Sequence, residues 1–332
     1  MPAIATLTMN PAIDVSVAVD RIAPGAKLRC RGGERDPGGG GINVARVVQR
    51  LGAGVVAVYP AGGAIGDILQ QLVAREGVPS VAVPIGGETR EDFTVLEEAS
   101  DEQFRFVLPG PHLRGDEWMA CLKALANLPV RPKMICASGS LPPGAPDDFY
   151  ARVAEIASGW GARFVLDASG PALRAALDTH IHLIKPNLAE MRELAGRPLD
   201  DEASLIEACR DLVAQRRVEA VALTLGAKGA LLVSADGAWR ARPPPGEAVS
   251  TVGAGDSFLG AMIWAQASGK PLQEAFRYGV AGGAAAVRAS GTELARAADT
   301  HRLFAEVALE AIDSPIRADA GADPVVREEL GG

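Results

Sequence analysis

Aromatic residues, cysteines and histidines are scarce in this sequence, and long hydrophobic runs are missing. Aromatics make up 5% of the 332 residues, and there are 4 cysteines and 4 histidines. No segment reaches the roughly 20 consecutive apolar residues that a membrane span needs. The cysteines lie far apart without a CxxC pair, which argues against structural zinc and favours reduced thiols in the cytoplasm; they are Cys30, Cys121, Cys136 and Cys209.

An excess of positive charge is also missing. Lys and Arg total 33 against 41 Asp and Glu, which gives a formal net charge of −8. A large non-specific nucleic-acid surface is therefore not expected. The opening residues MPAIATL have no cationic stretch before their apolar residues, so they predict a strand rather than a signal peptide. We expect a cytoplasmic protein with neither nucleic-acid nor membrane partners.

Short apolar runs rich in β-branched residues alternate with amphipathic stretches along most of the chain. This alternation predicts an α/β fold with a parallel sheet covered on both faces. The predicted strands are Ile4–Leu7, Val55–Pro60, Met134–Ser138, Phe164–Asp167, Leu183–Lys185, Ala220–Leu225 and Ala230–Ser234. The predicted helices are Ile42–Leu51, Ile65–Glu76, Asp116–Leu125, Asp147–Ser158, Leu188–Ala195, Asp201–Gln215, Ser257–Ala267 and Pro271–Arg288.

Two regions break the alternation. Asp14–Arg31 and Thr89–Val107 read as period-two strands that carry exposed charge. Because they are separated in sequence but similar in character, we expect them to form one small antiparallel sheet, a lid on the α/β body. The end of the chain, residues 313–332, loses all periodicity and is expected to be a disordered tail.

A glycine-rich motif, GGGGINVAR, begins at Gly38. Glycines let a backbone approach a ligand closely, and here they open an apolar-faced helix whose first N–H groups are free. A flexible surface turn is the alternative, but a turn of that kind would not normally stand between a strand and an amphipathic helix. Asn43, in the first helical turn, can both donate to and accept from a sugar hydroxyl.

A second motif, STVGAGDSFLGA, places Asp256 at the start of an apolar helix. Taken alone, Asp256 would be an ordinary helix cap. The preceding Gly253-Ala254-Gly255 makes a nest of N–H donors suited to an anion beside the carboxylate. Phosphoryl transfer needs this arrangement, because one group takes the proton of the attacking hydroxyl while fixed dipoles hold the charge on the phosphoryl group.

Two further motifs are less specific. In KPNLAE, Asn187 and Glu190 can face the same side of a first helical turn, where they could hold hydrated Mg²⁺ or form only a capping box. In LTLGAKGA, two glycines could bring a nucleotide phosphate close to the backbone, or the segment could be a bare hairpin. Neither a Walker A pattern nor an early G-x-G-x-x-G occurs, which disfavours P-loop and dinucleotide-binding folds.

Together these motifs resemble the ribokinase-like (PfkB-type) sugar kinases over roughly residues 1–310. The resemblance is strongest to the minor-isozyme type of bacterial 6-phosphofructokinase, on further segments that include PAGGAIG, QFRFV, SGSLPPG and GVAGGAAA. It implies a three-layer α/β/α sandwich over residues 1–312 with a mostly parallel sheet and a β lid. It also implies ATP-dependent transfer to the C1 hydroxyl of fructose 6-phosphate, and a homodimer formed through the lid.

The resemblance assigns roles to individual residues. Asp256 would be the catalytic base, with Gly253, Ala254 and Gly255 as the anion hole. The residues expected to bind the phosphorylated ketohexose are Asp14, Lys27, Arg29, Gly39, Gly40, Asn43, Arg90, Arg105 and Ser138. Those expected to line the ATP site are Lys185, Asn187, Thr224, Gly226 and Gly229, with Glu190 organising Mg²⁺ through water. A monovalent cation, K⁺, would lie near Ser250, Val252, Ala286, Ala289 and Gly291.

Two alternatives to a 6-phosphofructokinase stay open. One is a 1-phosphofructokinase or a tagatose-6-phosphate kinase. In those enzymes the glycine motif usually reads GGKG, and Gly40 stands here where their lysine would reach the substrate phosphate. The other is a degenerate, non-enzymatic sugar- or nucleotide-binding regulator, which would be expected to lose its base or anion hole. Asp256 and its glycines are intact.

Overall fold

The structure, a computed structural model, describes residues 3–289 and 293–313. The strands of the described residues are β1 Ile4–Leu7, β2 Ala12–Val19, β3 Arg31–Gly38, β4 Val55–Ala61, β5 Ser80–Pro84, β6 Arg90–Glu97, β7 Glu102–Phe106, β8 Met134–Ser138, β9 Arg163–Asp167, β10 Ile181–Ile184, β11 Val218–Thr224, β12 Ala230–Ser234, β13 Gly237–Arg242 and β14 Ala308–Asp313. The helices are α1 Gly40–Arg50, α2 Gly63–Arg75, α3 Gly115–Ala126, α4 Phe149–Trp160, α5 Gly170–Ala176, α6 Leu188–Ala195, α7 Glu202–Ala214, α8 Ala254–Ala267, α9 Leu272–Val287 and α10 Ala297–Phe304.

The body of the fold is one ten-stranded sheet in the order β14-β13-β12-β11-β10-β9-β8-β1-β4-β5. The strands from β11 to β5 run parallel. The three strands at the other edge, β12, β13 and β14, run antiparallel and are joined to β11 through a hairpin. The prediction of a mostly parallel sheet is confirmed.

Helices cover both faces of this sheet. Alternate residues of β1 point to different cores, since Ile4 belongs to one apolar cluster and Ala5 to the other. The first core is closed by α1, α2, α8, α9 and α10, and the second by α3 to α7. A strand buried on both faces must be apolar at every position, which explains the continuous apolar runs in the sequence. The three-layer sandwich is confirmed.

The lid is a separate four-stranded sheet in the order β3-β2-β6-β7. Two of its pairings are antiparallel, as expected, but β2 and β6 pair in parallel. The reason is topological: β2 follows β1 and β6 follows β5, so both leave the body from the carboxyl edge of its parallel strands and run outward together. The lid also extends further along the chain than Asp14–Arg31, because its strand β3 continues to Gly38.

The last described strand, β14, lies at the end of the predicted domain. β14 pairs with β13 from Ala308 to Asp313 and forms one edge of the main sheet. The predicted tail, apart from Asp313, lies outside the described residues. Five further elements were not expected from the sequence, namely β5, β13, β14, α5 and α10, all of which are short or lie at an edge.

Helices α1 and α8 pack against each other at Gly260. A Cβ at this position would lie 2.7 Å from Val47 Cβ and 3.2 Å from the Val44 carbonyl oxygen. These helices carry the two glycine-rich motifs at their N-termini. The close approach at Gly260 therefore sets the distance between the motifs.

Gly260→Ala should lower the free energy of unfolding by about 1–3 kcal/mol, because an added methyl group must push α1 and α8 apart. Thermal or denaturant unfolding measures the change. Gly159→Ala is the matched control: Gly159 lies in α4 with open space around its Cα, so alanine there should leave stability unchanged or raise it slightly. Equal stability of the two variants would contradict the close approach.

Candidate active site

Three polar side chains lie at the carboxyl edge of the parallel sheet. Ser138 ends β8, Asp167 ends β9, and Lys185 directly follows β10. Since β8, β9 and β10 are neighbours and run parallel, their ends meet at one place. In open α/β sheets this edge is where ligands bind.

Asp167 connects the other two. Its carboxylate accepts a hydrogen bond from Ser138 Oγ at 3.1 Å and forms an ion pair with Lys185 Nζ at 3.1 Å. Burial, the largest single effect, lowers the pKa of Lys185, but the charge and hydrogen bond of Asp167 together with the charges of Asp256 and Glu190 outweigh it, and the pKa is raised. Lys185 therefore keeps its positive charge although its side chain is buried.

Asp256 lies in the first turn of α8, after Gly253 in the left-handed conformation (φ 71°). The first N–H groups of a helix have no partner within it. The Gly255 N–H has no acceptor among the described residues, whereas the Ala254 N–H makes a long hydrogen bond to the Thr251 carbonyl at 3.4 Å. The Lys185 ammonium lies against Gly255, at 3.4 Å from where a Cβ would stand. The predicted base and anion hole thus lie together at the sheet edge, with a cation next to them.

The pKa of Asp256 is raised from 3.8 to about 7. Desolvation is the largest cause and the negative charge of Asp167 the next; hydrogen bonding from Asn43 and the charge of Lys185 act in the opposite direction. A carboxyl group with a pKa near neutrality is well suited to take a proton from a hydroxyl and to release it again.

The first glycine motif approaches the same place from α1. A Cβ on Gly40 would overlap Ser138 Oγ, so the backbone at the start of α1 packs directly on the end of β8. Gly39 caps the helix. Asn43 was expected to bind a sugar hydroxyl; its side chain is 8% exposed, and its amide donates to Asp256 Oδ2 at 2.9 Å.

The polar face of the lid, which carries Asp14, lies opposite the residues at the sheet edge. Asp14 on β2 is flanked by Asp92 on β6 and Asp36 on β3 in register. Desolvation, then the charge of Asp92, raises the pKa of Asp14 to about 6, while Arg105 and Arg90 lower it. Asp14, Arg90 and Arg105 are therefore close enough to act on one ligand.

The two terminal nitrogens of Arg90 already make hydrogen bonds within the protein. Its Nη1 donates to Asp92 at 3.2 Å and to the Leu108 carbonyl at 2.8 Å, and Nη2 donates to the Asn10 carbonyl at 3.1 Å. Its Nε–H, although buried, has no partner among the described residues. Of the five guanidinium donors, the buried Nε–H and one Nη2–H are therefore left without a partner in the part of the chain that the structure describes.

Lys27 and Arg29 are not brought to this group within one chain. Both are exposed in the connection between β2 and β3. Asp14 lies near the start of β2, and the connection begins after its other end, Val19. Their predicted role in phosphate binding stays a prediction.

Asn187 and Glu190 form the capping box considered from the sequence. Glu190 N–H donates to Asn187 Oδ1 at 2.9 Å, and Asn187 N–H donates to Glu190 Oε2 at 2.8 Å. Thr224, at the end of β11, lies beside Asn187 because its N–H donates to the Pro186 carbonyl at 2.9 Å. The turn from Gly226 to Gly229 is a hairpin between β11 and β12. The predicted ATP-site residues therefore line one continuous edge, from β10 to β12.

Some of the residues expected around a monovalent cation lie close together. The N–H groups of Val249 and Ser250 both donate to the Val287 carbonyl, at 2.8 and 3.1 Å. This places Ser250 and Val252 against the C-terminus of α9, which carries Ala286 and is followed by Ala289. Gly291 lies outside the described residues.

Comparison with known proteins decides the family. Residues 6–298 match the pfkB family carbohydrate kinases. The chain belongs to this family. A pfkB carbohydrate kinase is a phosphotransferase that acts on a sugar hydroxyl, so the predicted family and reaction class are confirmed.

The most similar relatives include two 6-phosphofructokinases. The kinase is 41% identical over 309 residues to ATP-dependent 6-phosphofructokinase isozyme 2 of Mycobacterium tuberculosis, covering 93% of this chain and 91% of the relative. It is 40% identical over 306 residues to the Escherichia coli enzyme of the same name, covering 92% and 99%. A 1-phosphofructokinase of Xanthomonas campestris is 36% identical over 258 residues, covering 76% and 81%.

The fold agrees with the solved structure of E. coli phosphofructokinase-2 in complex with fructose-6-phosphate. The TM-score is 0.86 at 38% identity, with 92% of this chain and 99% of that chain covered. No helix of the described residues is long and apolar enough to cross a membrane. Within the same residues, no group of three or more His, Cys, Asp or Glu side chains could hold a metal ion.

Sequence reasoning missed two residues of the kinase site. Asp167 belongs to no motif, but it is the last residue of a buried parallel strand, as Ser138 is, and that position could have identified it. Arg46 stands inside the first motif without an assigned role, although its buried guanidinium contacts Asn43. Its partners come from distant parts of the chain, so no local pattern shows them.

Asp256→Asn should lower kcat by at least about 10²–10⁴-fold, the usual contribution of a general base, and leave ATP binding largely intact. Because folding raises the pKa of Asp256, ionisation of this group near pH 7 and above favours the unfolded chain, and asparagine removes that cost. The melting temperature should therefore stay equal or rise. Steady-state kinetics and calorimetry measure both quantities; a parental kcat would exclude Asp256 as the base.

Proposed function

We propose that this kinase is an ATP-dependent 6-phosphofructokinase, which transfers the γ-phosphoryl group of ATP to the C1 hydroxyl of fructose 6-phosphate. The observation that carries the proposal is the position of Asp256. Asp256 lies in the first turn of α8 and accepts a hydrogen bond from Asn43 of α1. The lid, which carries Arg90 and Arg105 next to Asp14, faces it. The two relatives above 39% identity and the structure that contains fructose-6-phosphate support the same substrate.

In the reaction, the Asp256 carboxylate accepts the proton of the C1 hydroxyl as its oxygen bonds to the γ-phosphorus. The bond between that phosphorus and the β,γ-bridging oxygen breaks, and ADP leaves. The N–H groups of Gly253 to Gly255 and the Lys185 ammonium stabilise charge on the transferring phosphoryl group. Asp256 then releases its proton to solvent, so fructose 1,6-bisphosphate, ADP and one proton are formed.

The lid would hold the opposite end of the sugar. The 6-phosphate is a dianion, and arginine binds such groups through paired N–H donors. Arg90 has an unpartnered but buried Nε–H, and Arg105 shares the polar lid face with Asp14. With the phosphate held there, C1 is the end of the sugar nearest Asp256.

The proposal includes Mg²⁺ and K⁺ as cofactors. Mg²⁺ usually takes one or two carboxylates together with substrate phosphates rather than a protein cage, so Glu190 with the neighbouring Asn187 suits a water-mediated site. The ion would neutralise charge on the ATP phosphates. K⁺ would take carbonyl oxygens between residues 250–252 and the end of α9; a solved E. coli structure contains potassium.

Gly40 favours 6-phosphofructokinase over the 1-phosphofructokinase alternative. A side chain there would overlap Ser138 Oγ, which is itself fixed by Asp167. A lysine at position 40 therefore does not fit without moving Ser138. The positive charge for the phosphate comes from the lid instead. The regulator alternative is disfavoured because the base, its amide partner and the free helix N-terminus are all in place.

A coupled assay across phosphosugars tests the proposal. We expect kcat/KM for fructose 6-phosphate to exceed that for fructose 1-phosphate by at least about 10²-fold, the scale of losing two charge-assisted hydrogen bonds. Arg90→Ala should mainly raise KM for the sugar phosphate and leave KM for ATP nearly unchanged. A preference for fructose 1-phosphate or tagatose 6-phosphate, or an Arg90 variant impaired only toward ATP, would overturn the assignment.

We also propose that two copies pair through their lids. The face of the lid away from Asp14 carries Val15, Phe93 and Phe106 side by side across three strands. Val15 already packs in the core of the body and Phe93 packs partly against it, whereas Phe106 stands on the edge strand β7. Phe106 is 52% exposed in the single chain, and such faces are normally covered. Pairing would also allow the exposed Lys27 and Arg29 of one copy to reach the site of the other. The E. coli relative has been solved as a tetrameric inhibited form, so a larger assembly of such dimers is compatible.

Phe106→Asp should shift the protein from dimer to monomer in sedimentation at micromolar concentration and reduce its affinity for the sugar phosphate. Met119→Asp is the matched control, because Met119 is similarly exposed, at 42%, but lies on α3 in the body. A parental protein that sediments as a fully active monomer would refute the lid dimer.

A further inference from the structure

Arg46 is a buried cation next to the catalytic centre that no step of the proposed reaction uses. It lies on α1, and only 2% of its side chain is exposed. Its Nη2 donates to Glu76 at 2.8 Å and to Asp36 at 3.1 Å, and its Nη1 donates to the Pro37 carbonyl at 3.1 Å. Three acceptors therefore fix the guanidinium: Glu76 at the end of α2, and Asp36 and the Pro37 carbonyl on the lid strand β3.

The remaining contact of Arg46 is to Asn43, one turn earlier on the same helix. Arg46 Nη1 donates to Asn43 Oδ1 at 3.3 Å, and Asn43 Nδ2 donates to Asp256 Oδ2 at 2.9 Å. A guanidinium has donors only, so it accepts nothing from the amide and can face only its carbonyl end. The amino end of the amide must then point to the carboxylate.

We propose that Arg46 is a positioning residue for phosphoryl transfer, which holds the Asn43 amide in the one orientation that donates to Asp256. Without Arg46 the amide could rotate by half a turn and present its carbonyl oxygen to the carboxylate, an unfavourable contact between two acceptors. Arg46 does not contact Asp256 and acts only through Asn43. The inference rests on the proposed role of Asp256 as the base.

Several charged groups surround the contacts that run from Arg46 through Asn43 to Asp256. Asp36 and Glu76 face Arg46, and Arg50 shares Glu76 with it at 3.0 Å. Asp167, Lys185 and Asp14 act on Asp256. Donation from Asn43 is one of the effects that lower the pKa of Asp256 against desolvation and Asp167. Loss of that donation should therefore raise the pKa of the base.

The test is the pH profile of kcat/KM in Arg46→Lys. Lysine keeps the positive charge for Asp36 and Glu76, but it lacks the planar fork that reaches both these acids and Asn43. We expect kcat at pH 7 to fall about tenfold, the acidic limb to move up by roughly 0.5–1 pH unit, and KM for ATP to change less than about twofold. Asn43→Ala should shift the limb similarly, and Arg46→Lys added to it should shift the limb no further.

Arg50→Met is the matched control, because Arg50 lies on the same helix and contacts the same Glu76 but not Asn43. The acidic limb of the pH profile of Arg50→Met should lie at the same pH as that of the parent protein. Should Arg46→Lys not fold, Glu76→Gln loosens the same guanidinium and should move the limb in the same direction by a smaller amount.

The positioning role would be overturned, and only a structural one left, if the acidic limb of folded Arg46→Lys lay at the same pH as that of the parent. The same holds for Glu76→Gln if that variant has to be used. An additive shift in the double variant would also overturn it, since Arg46 would then act independently of Asn43. The proposed base fails in a different way: Asp256→Asn would keep parental turnover, or the parent would show no acidic limb.

Discussion

The hydrogen bond from the Asn43 amide to the Asp256 carboxylate joins the two glycine-rich motifs of the chain. The partners are 213 residues apart in sequence and meet at 2.9 Å. Each stands in the first turn of a helix, so the bond can form only if α1 and α8 pack closely and begin at the same sheet edge. The close packing at Gly260 and the positions at which α1 and α8 begin together allow this contact.

The electrostatics of the site follow from crowding several carboxylates into a poorly solvated cleft. Asp256, Asp167 and Asp14 lie within electrostatic reach of one another, and both Asp14 and Asp256 have a raised pKa. Lys185 compensates part of this negative charge because Asp167 keeps it protonated. A carboxyl group with a raised pKa accepts a proton more readily than an ordinary aspartate, and with a pKa of about 7 it still loses that proton to solvent near neutral pH.

The sequence was informative wherever function depends on neighbouring residues. The two glycine motifs and the KPNLAE turn are local patterns, and the structure brings their residues to one edge of the sheet. The central strands were also predictable, because burial on both faces makes them continuously apolar. Strands β13 and β14 at the edge of the sheet are less completely buried, so their sequences lack the continuous apolar run that identifies the central strands.

What the sequence could not show depends on contacts between distant segments. The parallel pairing of β2 with β6 follows from where both strands leave the body, not from their own residues. Arg46 takes its partners from α1, from the end of β3 and from Glu76, which follows α2. The exposure of Lys27 and Arg29 within one chain is likewise a property of the fold. Only the resemblance to sugar kinases suggested these two residues as phosphate ligands, and no pattern in the sequence shows how far they lie from Asp14 within one chain.

In the ligand-free protein, burial and the charge of Asp167 should hold the pKa of the Asp256 carboxyl group near 7, so that both protonation states are populated at neutral pH. The most direct measurement is a ¹³C NMR titration of the aspartate side-chain carboxyls in the ligand-free protein, with the Asp256 signal assigned by its loss in an Asp256→Asn sample. We expect this signal to titrate with an apparent pKa of about 7. A midpoint near 3.8, the ordinary value for aspartate, would contradict the account.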